Sequence, residues 1–239
     1  MSLPLNGSEG VQIADAAVLT FPDGDWSWQA WIKIAQNTGT GSYNLFSWGS
    51  YGSTPSAVVR IYQATHATLA NKLRFFIVDG AGDGNSVTST GTPGASSLWQ
   101  HLAVVRSGAM RTQYVNGEAD GSVEDEEDVV DAIDKAGDAY VGCYYTGLLG
   151  LIGYIAESAK WSRALSAGEL TAMKNGAKPG DYATNLDWWL PLKDDKESDA
   201  GSLTTTLVGS PSFDAADHPV SYVSRFGWQQ RHHRRMAGV

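Results

Sequence analysis

The chain of 239 residues has one cysteine, Cys143, so no internal disulfide can staple its fold. It also lacks any apolar run near the ~20 residues that cross a bilayer, which argues against membrane insertion. Charged residues are only 18% of the total against 42% hydrophobic, a balance that excludes global disorder and permits a sizeable core. Acid is missing altogether from His218 onward, where Arg225, Arg231, Arg234 and Arg235 stand. All 26 acidic residues and 13 of the 17 basic ones lie in 1–217, so the body carries −13 and the tail +4. A body of that sign repels nucleic-acid phosphate and argues against nucleic acid as a partner, while the short basic tail suits an acidic surface. Met1-Ser-Leu-Pro-Leu-Asn-Gly has neither the basic start nor the apolar run of a signal peptide, and the expectation is a soluble chain without a cleaved leader.

What is present is aromatic and turn-rich: nine Trp, ten Tyr and 27 Gly. Trp99-Gln-His-Leu-Ala-Val-Val-Arg106 and Arg111-Thr-Gln-Tyr-Val-Asn-Gly117 are apolar-rich runs of strand length joined at Ser107-Gly108. The second ends in Asn116-Gly117, a pair that tolerates the positive φ of a type I′ hairpin turn. In 26–34 the alternation is clean: Trp26, Trp28, Ala30, Ile32 and Ile34 share one face, with Ser27, Gln29, Trp31 and Lys33 on the other. Trp31, on the more polar face, is expected to pack under a second layer. Further strands are predicted at 44–48, 57–62, 72–79, 139–145 and 149–155, with loops over 49–56 and 80–97. Many short strands at this spacing indicate a sandwich or jelly roll.

One helix is predicted after Ser166, which with Glu169 forms a capping box, and Asn175-Gly176 supplies its left-handed stop. Leu186-Asp-Trp-Trp-Leu-Pro-Leu192 reads as a late strand that Pro191 places at an edge or an end. The length fits one large β domain, taken as 1–221, followed by a basic aromatic extension, 222–239.

Taken in order, several stretches resemble the laminin-G-like branch of the concanavalin A-like lectin/glucanase superfamily. They are 26–34, Lys72-Leu-Arg-Phe-Phe76, 99–106, Tyr114-Val-Asn-Gly117, Gly153-Tyr-Ile-Ala-Glu157 and Trp161-Ser-Arg-Ala-Leu-Ser166. The resemblance covers roughly residues 9–176 and is carried by the ordered set rather than by any one motif. It implies an all-β, two-sheet antiparallel jelly-roll sandwich with one short helix in the C-terminal half, used for non-catalytic binding of glycan or protein. Modules of this kind are found in bacteriophage virion proteins, which implies a virion or particle-surface setting as a capsid decoration, tail or fibre subunit.

Three sets of residues carry the chemical expectations. Trp48, Tyr51, Tyr144 and Tyr145 fall at strand ends or in loops, where aromatic faces can stack on sugar rings while Asn85 and Asp83 bond hydroxyls; closing the sandwich ends is their alternative use. Asp79, Asp83 and Asn85 place oxygen donors on a glycine-rich loop that can hold calcium or simply turn the chain. Arg225, Phe226, Trp228, Arg231, Arg234 and Arg235 form a segment suited to docking on another subunit of a particle or oligomer. The alternative enzyme, a glycoside hydrolase or lyase, needs two carboxylates about 5–5.5 Å apart for retaining chemistry. The nearest approach is Glu118 and Asp120, at the start of an acidic run over 118–134 that is expected to be a solvated loop. A free calcium-dependent lectin is the remaining alternative.

Overall fold

The computed structural model describes residues 3–14, 17–48, 56–78, 84–124, 137–144, 150–192, 203–211 and 218–220. Its strands, in chain order, are β1 (Leu3–Asn6), β2 (Gly10–Ile13), β3 (Trp26–Ile34), β4 (Ser42–Trp48), β5 (Ser56–Tyr62), β6 (Leu73–Val78) and β7 (Gly84–Thr88). They continue with β8 (Gln100–Ser107), β9 (Met110–Val115), β10 (Glu118–Glu124), β11 (Ala139–Val141), β12 (Ile152–Trp161), β13 (Leu186–Leu190) and β14 (Thr205–Val208). The helix α1 (Ala167–Lys174) falls between β12 and β13. Among the described residues the strands form two seven-stranded sheets. One runs β1-β12-β3-β8-β9-β10, with β13 also paired to β12; the other runs β14-β2-β11-β4-β5-β6-β7. Every strand pairing is antiparallel, so the molecule is the expected jelly-roll sandwich.

The interior between the sheets follows the alternation of β3. Trp26, Trp28, Ala30, Ile32 and Ile34 are all buried, facing Phe46, Trp48, Val59, Phe75 and Ile13 of the other sheet. Ring pairs stitch the layers: Trp26 to Phe75 at 5.2 Å, Phe21 to Trp26 at 4.9 Å and edge-on, Phe46 to Trp188 at 6.1 Å. Each such pair contributes about 0.5–1.5 kcal/mol beyond area burial.

The sheet containing β3 is covered on its outer side as well. Ala103, Val105, Ala159, Trp161 and Trp189 form a second cluster that Leu165, Leu170 and Met173 close from above. The helix is therefore a lid over the outer face. Its cap forms as predicted: Ser166 Oγ accepts from Glu169 N at 3.3 Å, and Glu169 Oε2 accepts from Ser166 N at 2.8 Å. Gly176, at φ 101°, ends it.

The strands differ from the sequence expectation at three places. Residues 84–88, expected as loop, form β7; only Val87 of that strand turns inward, so no apolar alternation marks it. Residues 118–124, expected as solvated loop, form the edge strand β10, where charged side chains are tolerated because one flank has no neighbouring strand. The chain before residue 14 supplies two four-residue strands, too short for a periodic signal. No helix among the described residues is long and apolar enough to cross a membrane.

Replacing Ser166 by Ala removes the acceptor at the head of α1 and is expected to cost about 1 kcal/mol, whereas Ser166→Gly costs only a few tenths. Urea unfolding of the two variants checks this; equal losses would show that the cap is not what stabilises the helix.

Candidate functional site

Of the aromatic rim expected from the sequence, Trp48 and Tyr144 are among the described residues. Trp48 is fully buried and its Nε1 donates to Gly137 O at 3.0 Å, so it closes the core and offers no face to a sugar. The register aligns Trp48, Ala57, Ile77 and Asn85 in one row across β4, β5, β6 and β7. Asn85 is thus three strand spacings, about 14 Å, from Trp48. Tyr144 follows β11 and is half-buried. Tyr51 and Tyr145 lie outside the described residues, as do Asp79, Asp83 and the tail residues Arg225, Phe226, Trp228, Arg231, Arg234 and Arg235. For calcium, the one described ligand candidate uses its oxygen locally: Asn85 Oδ1 accepts from Ser86 N at 2.6 Å. Among the described residues no three His, Cys, Asp or Glu side chains gather into a metal-sized group.

The carboxylates of β10 are likewise not a pair. The β9–β10 register shifts between Ala119 and Ser122, next to Gly121 at φ 117°. Asp120 turns to Thr90 and Gly91: Oδ1 accepts from Thr90 Oγ1 and, at 2.7 Å, from Gly91 N. That carboxylate closes a loop. Glu118 stands exposed, in the regular register before the bulge.

A different arrangement does come together, on the outer face of the β3 sheet. The register sets Trp31 opposite His101, and Asn116 N donates to His101 O at 2.7 Å. Asn116 Oδ1 accepts from His101 N at 3.0 Å and its Nδ2 donates to Gln100 Oε1 at 2.9 Å. The β9–β10 turn, with Asn116 at φ 53° and Gly117 at φ 83°, is thereby bolted to the start of β8, immediately after Trp99. A Cβ on Gly117 would sit 3.0 Å from Thr171 Cα, so the turn also packs tightly against α1 and brings up Lys174 in its last turn. Trp31, Trp99, Val115, Asn116, Glu118 and Lys174 together bound a recess of about 520 Å³. Small-ligand sites span about 300–1,000 Å³. Trp31 is 7% exposed and Trp99 half-buried, while Glu118 and Lys174 are exposed.

Behind this recess runs a buried polar seam. Gln29 Nε2 donates to Glu157 O, and Gln29 Oε1 lies 2.9 Å from His101 Nε2. With the Gln29 oxygen as acceptor, His101 is the Nε2–H tautomer. Its Nδ1 is buried without a hydrogen bond. Glu157 sits at φ 56° in the bulge of β12, a strained setting costing on the order of 1 kcal/mol. Its carboxylate accepts from Trp189 Nε1 at 2.7 Å and lies 3.3 Å from His218 Nε2. Val220, two residues on, packs on Trp31 and Ala156 with Trp99 alongside.

A second recess, about 500 Å³, lies at the other end of α1 between Met110, Thr112, Tyr114 and Glu169. Its carboxylate is already committed. Arg163 grips Glu169 through its two terminal guanidinium nitrogens, at 2.7 and 3.1 Å, and chiefly this holds the carboxyl down at about 2.

Sequence reasoning had Trp31 packed under a second layer, which the structure shows. It missed Trp99, Glu118 and Lys174 as one group. Nothing local could have signalled it, since only the β8–β9 pairing and the helix packing bring these distant positions together.

The fold and its outer recess define a lectin-like β-sandwich. The Concanavalin A-like lectin/glucanases superfamily matches over residues 5–171, and the chain belongs to it. No curated protein matches the chain by sequence. Among solved structures, a candidate carbohydrate binding protein from Bacteroides ovatus superposes with a TM-score of 0.57 at 17% identity, over 87% of this chain and 62% of its own. The binding domain of botulinum neurotoxin serotype G gives 0.55 at 14% identity, over 71% of this chain and 41% of its own. The serotype D ligand binding domain, solved with N-acetylneuraminic acid, gives 0.54 at 16%, over 72% and 44%. The chain thus spans less than two thirds of each of these structures, and at such identity the likeness is one of fold.

Burial holds His101 neutral, its pKa pushed down to about 3 from 6.5. The unfolded chain takes up a proton that the folded one refuses, so stability falls as the pH drops from about 6.5 toward about 3, by up to ~1.4 kcal/mol per unit. His101→Gln keeps a donor for Gln29 and removes the titration. Its urea midpoint is expected to vary less between pH 7 and 5 than that of the parent, and parallel profiles would place the dependence on other groups.

Proposed function

We propose that this chain is a non-catalytic glycan-recognition module that also serves as a structural subunit of a larger particle. The observation that carries the first half is the division of the β10 carboxylates. Asp120 lies in the bulge and is spent on Thr90 and Gly91, while Glu118 stands in the regular register before it. Retaining hydrolysis needs two acids converging on one bond. Recognition needs only walls and a few polar groups. The carbohydrate-binding description of the Bacteroides ovatus structure and the sialic acid complex of the serotype D domain agree with glycan as the ligand class.

The second half of the proposal rests on charge. Residues 222–239 carry the Arg-rich, Phe226- and Trp228-bearing segment, and the body carries −13. A basic segment on an acidic module suits joining one copy to the next, as in a capsid decoration, tail or fibre subunit of a virion. Calcium held by Asp79, Asp83 and Asn85 is a further element of this proposal.

Native electrophoresis through gels containing soluble polysaccharides tests the first half, with reducing ends assayed in parallel. Retardation without release of reducing ends is expected. Release that disappears in Glu118→Gln would make the chain a hydrolase and end the recognition reading. For the second half, a chain truncated after residue 221 is expected to stop co-sedimenting with its assembled particle; unchanged co-sedimentation would remove the tail from assembly.

A further inference from the structure

Resting on the recognition reading, we infer that the glycan is held on the outer face of the β3 sheet, in the recess of Trp31, Trp99, Glu118 and Lys174, and that it is a neutral sugar. This places the site away from the rim to which the sequence pointed.

Three observations carry the assignment. The recess is lined by two indoles, of which Trp99 is the more exposed, and by two oppositely charged side chains, Glu118 and Lys174. The electron-rich face of an indole attracts the weakly positive C–H face of a pyranose, while hydroxyls at the ring edge need an acceptor and a donor. Glu118 is that acceptor and Lys174 that donor. Both are exposed, and no ion pair among the described residues engages either.

The backbone that carries these walls is fixed before a ligand arrives. Trp99 precedes β8, whose start is tied to Asn116, and Glu118 follows the same turn two residues on. Lys174 is brought alongside by the close packing of Gly117 on Thr171. A preorganised backbone leaves chiefly the Glu118 and Lys174 side chains to be ordered on binding, which favours a small ligand with few contacts.

The charge of the recess then selects among sugars. One carboxylate and one ammonium sum to zero, and a sugar carboxylate drawn to Lys174 would also face Glu118. A neutral ring uses both groups without that repulsion. The recess at the far end of α1 offers no equivalent, because Arg163 and Ser166 occupy its carboxylate.

Saturation-transfer NMR and calorimetry with mannotetraose, cellotetraose and chitotetraose, and sialyllactose as the acidic probe, test this on the full chain. At least one neutral tetraose is expected to bind. Trp99→Ala should weaken it about tenfold or more, as loss of an aromatic anchor does. Glu118→Gln, an exposed change that leaves folding intact, should weaken it about fivefold. Trp99→Tyr keeps a ring and should bind nearly as the parent, and Thr206→Ala on the other sheet should change nothing. If a neutral tetraose binds undiminished in Trp99→Ala and Glu118→Gln but is lost in Asn85→Ala or Tyr144→Ala, the location is wrong and the recognition reading stands. Binding of sialyllactose alone overturns the neutral class. Binding of no probe, together with no retardation by any polysaccharide, overturns the recognition reading itself.

Discussion

Strand β3 is buried on both of its faces, and most of the architecture answers that constraint. A strand with one wet face needs only an opposing sheet. Here Trp26, Trp28 and Ile32 fill the sandwich, while Ser27, Gln29 and Trp31 on the reverse are buried too. The reverse face carries backbone neighbours rich in Ala and Val, so something must cover it. Helix α1 covers one half through Leu170 and Met173. The segment at 218–220 covers the other through Val220. Without these, Trp31, Trp161 and Trp189 would present a broad apolar surface to water.

The seam between the two covers is polar, and that has a cost the structure meets by pairing everywhere in it except at His101 Nδ1. Gln29, His101, Glu157 and His218 are all buried or nearly so, and an unsatisfied member costs about 1–3 kcal/mol. The bulge in β12 turns the Glu157 carbonyl to Gln29 and its carboxylate to Trp189 and His218. A regular strand would aim that side chain elsewhere. The positive φ of Glu157 is thus the local strain that lets a strand of the sandwich bind the C-terminal part of the body. Further along the same strand, buried Lys160 reaches Asp187 of β13 at 2.5 Å, although burial lowers its pKa.

The layering was legible in the sequence wherever periodicity is strong. The alternation of 26–34, the Asn116-Gly117 turn and the Ser166–Glu169 box each encode their geometry locally, and each formed as expected. Strands β1, β2 and β7 were not legible, because four or five residues with few inward apolar positions fit a loop equally well. The recess was illegible for another reason. Trp99, Glu118 and Lys174 are remote from one another in sequence, and the pairing that unites them depends on a turn docking against a helix. Trp48 stayed open between two uses because a strand-end tryptophan has the same local sequence whether it caps a core or faces a ligand; its burial and the Gly137 carbonyl show it capping the core.

The same division explains why the outer face, rather than the interior, is where this chain can vary its business. The inner core is continuous and aromatic, and each ring there touches others, so a change at Trp28 or Phe46 is felt across both sheets. The outer layer is assembled from separate pieces: a hairpin turn, the last turn of a helix and a short C-terminal segment. Each piece is fixed by its own hydrogen bonds, and the side chains at their meeting point contribute little to the core. Glu118 and Lys174 are free to be chosen for contact because Asn116 and Gly117 already do the holding. Val220 packs on Trp31 and Ala156 beside that meeting point, with Trp99 alongside, so the C-terminal segment of the body is itself one of the separable pieces of the outer layer.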